Sequence, residues 1–139
     1  MNQAILTPVL AMITWTLIVW AWMYATRIPA MQAAKMDAND AQHPGSLAGL
    51  PSGVRAIADN YNHLHEQPTI FYALVFYTLM SGHADNLAVN MAWAYVILRV
   101  VHSIVQNVIH TVMLRFAVFA LSSLVLVAMT VRNLMAVMS

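Results

Sequence analysis

The chain has 139 residues, 61% of them hydrophobic and 8% charged, with a formal net charge of +1. Soluble domains carry about 25% charged residues, so the composition excludes an ordinary water-soluble globule and leaves one small domain whose solvent is largely lipid, while the near-zero charge offers nothing to a nucleic-acid partner. Cysteine is absent, which removes disulfides, catalysis by a protein thiol and cysteine-ligated metals. The eleven methionines read as flexible packing.

The first apolar run, Ile5 to Tyr24, has no basic segment before it and no clear small-residue cleavage site. It predicts a retained transmembrane helix over about 4–26 and not a signal peptide. Trp22 and Tyr24 fit an interfacial belt, and Arg27 beyond them fits an interfacial anchor. A polar connection over 28–53 follows, with Pro29, Lys35, Asp37, Asp40, His43-Pro44-Gly45 and Pro51-Ser52-Gly53. Its Pro-Gly and Ser-Gly steps predict turns, with one short surface helix over 30–36.

A second helix is predicted over 54–81, with Ser52 as a plausible N-cap. Arg55, Asp59, Asn62 and Glu66 recur at i, i+4, i+7 and i+11, which puts them on one narrow face. His63 flanks that face and His65 points away from it. Pro68 interrupts the pattern, and a packing kink is its plainest reading. The apolar half, Thr69 to Met80, is short of the roughly 20 residues a crossing needs. The polar turns before it must then lie at membrane depth, where such groups are a functional-site hypothesis by default.

After a turn over 82–86 the third helix is predicted over 87–108. It is apolar except for a stripe of Arg99, His102, Ser103, Gln106 and His110, which lipid cannot satisfy and which therefore faces the bundle interior or a wet cavity. The fourth helix, over 115–137, is nearly pure hydrocarbon between Arg115 and Arg132. The fold class is thus all-α, a four-helix integral membrane bundle. Arg27, Lys35, Arg55 and Arg115 fall on one side of it and Arg132 on the other, so the positive-inside rule puts both termini on the non-cytoplasmic side.

Plain structural readings stand beside functional ones. Arg99 can staple helices by pairing with Glu66 or Asp59, because buried charges are normally paired. His102 can be a packed, hydrogen-bonded histidine. A metal at His63, His65, Glu66 and His110 is disfavoured, since His-x-His splits across a helix and no HExxH spacing occurs. Tyr72 and Tyr77 read as lipid-facing or core aromatics.

Asn62 with Pro68 in helix two, Arg99-Val-Val-His102 in helix three and the four-span layout together resemble the MAPEG family, membrane-associated proteins in eicosanoid and glutathione metabolism. Within it the chain is similar to bacterial-type members and to microsomal glutathione transferases. The resemblance covers nearly all of a single domain, residues 1–139. It implies a homotrimer that binds glutathione between subunits near the cytoplasmic face, takes a hydrophobic small molecule from the bilayer and, if bacterial, resides in the inner membrane.

The family's helix two carries Asn-x-x-Glu before its proline. Matching Asn62 and Pro68 puts His65 at the glutamate position, with Glu66 one residue further on; the helical face favours Glu66. The family's helix three reads Arg-x-x-His-x-x-x-Tyr, with an arginine nine residues later. Here these become Arg99, His102, Gln106 and Arg115, so glutamine replaces the tyrosine. By resemblance, Arg55, Asn62, His65, Glu66, Arg99, His102 and Arg115 bind glutathione, and Arg115 and Gln106 serve catalysis. The chemistry suits them: arginine grips carboxylates bidentately, a carboxylate receives the ammonium, and a cation favours the thiolate. Gln106 donates a hydrogen bond but exchanges no proton. The implied function is a glutathione transferase or peroxidase acting on a lipophilic electrophile or lipid hydroperoxide. The alternative is a non-catalytic member that binds a lipid or a partner protein. A small membrane protein of unrelated function, such as a transporter subunit, is the third reading.

Overall fold

The computed structural model describes residues 3–37, 39, 45 and 47–139. A 3-10 turn, Gln3–Ile5, leads into helix α1, Leu6–Ala33. Val9, Met12, Thr16, Val19 and Met23 are its buried stripe, spaced three and four apart as a packed helix face requires. Leu10, Leu17 and Trp20 stay exposed, as befits a lipid-facing surface. The helix runs about two turns past its predicted end and straight through Pro29. Proline removes one backbone donor, but Ala30, Met31, Gln32 and Ala33 are good helix formers. What the sequence suggested as a separate surface helix is in fact the last turn of α1. It ends where Lys35 turns left-handed (φ 56°) and the Met36 N–H reaches back to the Met31 carbonyl at 2.9 Å, a helix stop that glycine usually provides. The turn expected at His43-Pro44 lies outside the described residues.

The second helix is two helices, α2 (Ser52–His63) and α3 (Gln67–Met80). Pro51, not Ser52, holds the N-cap position of α2, and no side chain caps it. The break between α2 and α3 has a local cause. The Pro68 ring would collide with the carbonyl four residues back, at Leu64, and the residue at 68 has no N–H to give it. The chain answers with two tight turns, His65 N–H to Asn62 and Glu66 N–H to His63, at 3.0 and 3.1 Å. It then restarts with Pro68 in the first turn of α3, where a missing donor costs least. The 14 residues of α3 span about 21 Å, short of the roughly 30 Å hydrocarbon core; α2 must supply the rest of this crossing.

Asp85 caps the next helix, α4 (Asn86–Ile104), by accepting the Ala88 N–H at 2.8 Å. Its end loosens into a π-helical turn, Val105–Ile109, closed by the His110 N–H on the Val105 carbonyl, with His110 left-handed at φ 60°. Helix α5, Val112–Met138, follows. The described residues Gln3–Ala33, Asn86–Ile109 and Val112–Met138 are each long and apolar enough to cross a membrane. With the broken α2–α3 pair they make the four-helix bundle.

In the bundle α4 packs most extensively on α5, and α1 packs on α2 and α4. Phe71 of α3 stacks on Tyr95 of α4 with ring centroids 4.5 Å apart. Polar pins join α3 to α4 and to α5. Tyr95 Oη donates to Gln67 Oε1 at 3.1 Å, Gln67 Nε2 donates to Ser123 Oγ at 2.9 Å, and Asn133 Nδ2 donates to Thr78 Oγ1 at 2.9 Å.

Candidate functional site

The polar stripe of α4 faces inward. Arg99 and Ser103 are fully buried, His102 nearly so, and Gln106 is 8% exposed. The π turn explains why the stripe continues into the neighbouring Asn107, also buried: a wider turn brings two consecutive side chains to one side. Both meet α2 at Asn60. Asn60 Nδ2 donates to Gln106 Oε1 at 3.1 Å, and Asn107 Nδ2 lies 3.5 Å from Asn60 Oδ1. Gln106 Nε2 sits 3.5 Å from the Ala56 carbonyl, a weak contact that leaves its donor capacity largely free.

Arg99 has no carboxylate in ion-pair contact among the described residues. Its Nη2 instead meets His63 Nδ1 at 2.6 Å, and its guanidinium lies over the Phe119 ring, 5.6 Å from the centroid. The His63 ring stacks on His102 with centroids 5.2 Å apart and meets Phe119 edge-on at the same separation. Arg99 Nε and Nη1, and His102 Nδ1, are buried without a partner. The interhelical staple from Arg99 to Glu66 or Asp59 is therefore replaced by a cation–imidazole–aromatic cluster.

Beside this cluster a cleft opens between α2, the π turn and α5. Its outer half, about 260 Å³, is lined by Ser52, Arg55, Asp59, Gln106, His110 and Arg115, among others. Its inner half, about 450 Å³, is lined by Asp59, His63, His102, Gln106, Val112, Arg115, Phe116 and Phe119. Asp59, Gln106, Val112 and Arg115 belong to both, so the halves adjoin. The outer end is polar and cationic, and the inner end is aromatic.

Of the predicted site residues, Arg55, His102, Gln106 and Arg115 converge on the cleft. Arg99 lies behind it, in contact with His63. Asn62, His65 and Glu66 line neither half and are exposed on the protomer. His65 is occupied locally: its Nδ1 donates to the Tyr61 carbonyl at 2.9 Å, and its ring meets Tyr61 edge-on. Sequence reasoning missed Asn60 and Asn107 and left His63 outside the site. Asn60 is two residues from the family-matched Asn62, and its only signal was its place on the face of α2 opposite the charged stripe.

A second cavity, about 290 Å³, lies between the end of α3, the turn 81–85 and the last turns of α5, and is lined by Thr78, His83, Asp85, Arg132 and Asn133 among others. Arg132 grips Asp85 here with both terminal guanidinium nitrogens, at 2.7 and 3.3 Å. Those bonds, then the Ala88 N–H, hold the Asp85 carboxyl below its usual range.

The MAPEG family model matches residues 5–135. No curated protein and no solved structure matched the chain.

Proposed function

The chain belongs to the MAPEG family, and from that premise we propose that it is a membrane-bound, glutathione-dependent transferase or peroxidase acting on a lipophilic electrophile or a lipid hydroperoxide. The family includes glutathione transferases, peroxidases and eicosanoid synthases, and its members generally use glutathione. One observation carries the reading: two adjoining cavities share Asp59, Gln106, Val112 and Arg115, one of them polar and cationic and the other aromatic.

The donor set suits glutathione. Two carboxylates call for two cations, and Arg55 and Arg115 line the outer half; arginine stays charged and binds carboxylates in a fork. Asp59, shared by both halves, suits the ammonium better than Glu66, which lines neither. Glutathione supplies the thiol that attacks the electrophile or reduces the peroxide. Arg115 reaches the inner half as well and favours the charged sulfur, while Phe116 and Phe119 exclude water and meet the lipophilic partner.

The exposed face of α2 supports a homotrimer. Arg55, Asp59, Asn62 and Glu66 are all exposed on one protomer, and Asn62 and Glu66, next to the apolar α3, stand where lipid would leave them unsatisfied. A second copy laid on this face would bring Asn62 and Glu66 to the mouth of the cleft. Both termini then lie on the non-cytoplasmic side, with Arg27, Lys35, Arg55 and Arg115 cytoplasmic.

A non-catalytic, lipid- or partner-binding role is the second reading. Gln106 favours it, since it replaces the family's tyrosine and its oxygen is already engaged by Asn60. Turnover of glutathione with a lipophilic electrophile by the purified protein in mild detergent decides between the two. The transferase reading predicts conjugate formation that falls about ten- to a hundredfold in Arg115→Ala, the effect of losing one charge-assisted hydrogen bond. Glutathione binding without any turnover of electrophile or hydroperoxide would favour the second.

A further inference from the structure

We propose that His63, fixed as a neutral Nε2–H donor by Arg99, is the group that hydrogen-bonds the sulfur of the thiol ligand; this rests on the glutathione reading above. The first step concerns only the protein. Arg99 Nη2 lies 2.6 Å from His63 Nδ1. A guanidinium has donors only and does not lose its proton in proteins. Nδ1 must therefore be the acceptor, carrying a lone pair and no hydrogen. The ring is then neutral and its one proton is on Nε2, because the hydrogen bond at one ring nitrogen sets the state of the other. The stack on His102 and the edge contact with Phe119 hold the ring in place.

The second step concerns the cleft. His63 lines the inner half, with Arg115 and Phe119, and does not line the outer half. A ligand whose carboxylates sit at the cationic outer end places its uncharged middle and thiol inward, toward the aromatic end where a lipophilic partner arrives. There Gln106 is tied by its oxygen to Asn60 and keeps an amide donor at the shared wall. His63 adds a donor from α2 at the aromatic end, where Gln106 is joined by His102, Phe116 and Phe119. It does not act as a base: Nε2 already holds a proton and Nδ1 is occupied. On ionisation the S–H proton leaves to water through the cleft mouth, and the sulfur keeps the electron pair. His63 Nε2–H and Arg115 then hold the resulting charge. Asp59 and Glu66 from α2 and its link, Arg99 and His102 from α4, and Arg115 from α5 are the other charged or titratable groups around this ring.

Two measurements test this on the full-length protein in detergent. Nitrogen NMR of histidine-labelled protein needs no ligand: the His63 signals should be those of a neutral Nε2–H ring near neutral pH, and Arg99→Met should release that fixed state. A ring protonated at Nδ1, or at both nitrogens, overturns the proposal whatever the protein binds. The second measurement is the ultraviolet absorbance of bound glutathione thiolate across pH. His63→Leu should bind glutathione within a few-fold of the parent yet move the thiol titration up by about one to two pH units, a ten- to hundredfold loss of thiolate. His63→Gln, which keeps both an acceptor and a donor, should restore most of it, and also covers the case that the leucine variant misfolds. Unchanged titration in both variants overturns the role of His63 while leaving glutathione binding intact. Absence of glutathione binding to the parent protein removes the role at the sulfur together with the glutathione reading, and the NMR result then still decides the Arg99–His63 arrangement.

Discussion

Arg99 shows how far a single residue could be read from the sequence. An arginine in the middle of an apolar helix had to be buried and partnered, and it is fully buried. Its partner was not legible, because His63 is 36 residues away and an arginine normally seeks a carboxylate. Glu66 and Asp59 were the obvious carboxylates, yet both are exposed; the break before Pro68 turns the backbone at Glu66 out of helical register (φ −94°, ψ −90°). Two Arg99 nitrogens remain unpartnered, so this residue costs stability. Replacing a whole buried ion pair by hydrophobic side chains of similar volume is often neutral or stabilising by about 1–4 kcal/mol, and Arg99 has no carboxylate partner among the described residues to leave stranded. Arg99→Met should therefore unfold at the same temperature as the parent or higher, in a thermal melt in detergent, while leaving glutathione binding within a few-fold and moving the thiol titration up as His63→Leu does. A large drop in melting temperature would mean that Arg99 holds the bundle together.

At the scale of elements, the helices were legible and their ends were not. Apolar length alone locates α1, α4 and α5, since lipid demands long uncharged runs. The ends depend on single backbone states that hydropathy does not register: a left-handed lysine at 35, a π turn at 105–109 and the collision between Pro68 and Leu64. The same is true of the cap on α4, where Asp85 has two tasks. It caps the helix through Ala88 and pairs with Arg132. Asp85→Ala loses both, about 1 kcal/mol for the cap and at most about 1 kcal/mol for the exposed pair. Asp85→Asn keeps the cap and loses only the pair. The Asp85 pKa is depressed in the folded state. The contribution of the charge is thus complete above its unfolded value of about 3.9 and is lost as pH falls through the lower folded value. Melting curves of the parent and Asp85→Asn should differ near neutral pH and converge in strong acid; a gap that persists there would assign the effect to something other than this charge. Gly82 is left-handed (φ 81°) at the stop of α3, where the His83 N–H reaches the Thr78 carbonyl at 3.0 Å. A side chain meets no atoms there, so Gly82→Ala should cost only the backbone penalty, about 1 kcal/mol, in the same melts.

For the whole molecule, the sequence told of the lipid solvent and the number of helices, and the family pattern told where to look for a site. It did not tell which side chains share the cleft, because that depends on the π turn and on the break in the second helix, both set by backbone geometry. Asn62 matches the family motif, His65 falls on its glutamate position and Glu66 stands one residue further on, yet all three lie outside the cleft of one protomer. The proposed trimer would reconcile the two: native mass spectrometry in mild detergent should then find three chains, and charge reversal at Glu66 should weaken the assembly. A folded, active monomer would contradict it. A label on Ser139 should react only from the non-cytoplasmic side of intact cells, and cytoplasmic labelling would reverse the orientation.

The proposal that this cleft binds glutathione is tested most directly by titration calorimetry of the purified protein with glutathione. Binding at or below millimolar concentration is expected, weakened about ten- to a hundredfold in Arg115→Ala and unchanged in Arg132→Ala, whose side chain lies at the other cavity. No heat of binding to the parent protein at millimolar glutathione, or equal loss in both variants, would contradict the assignment of this cleft.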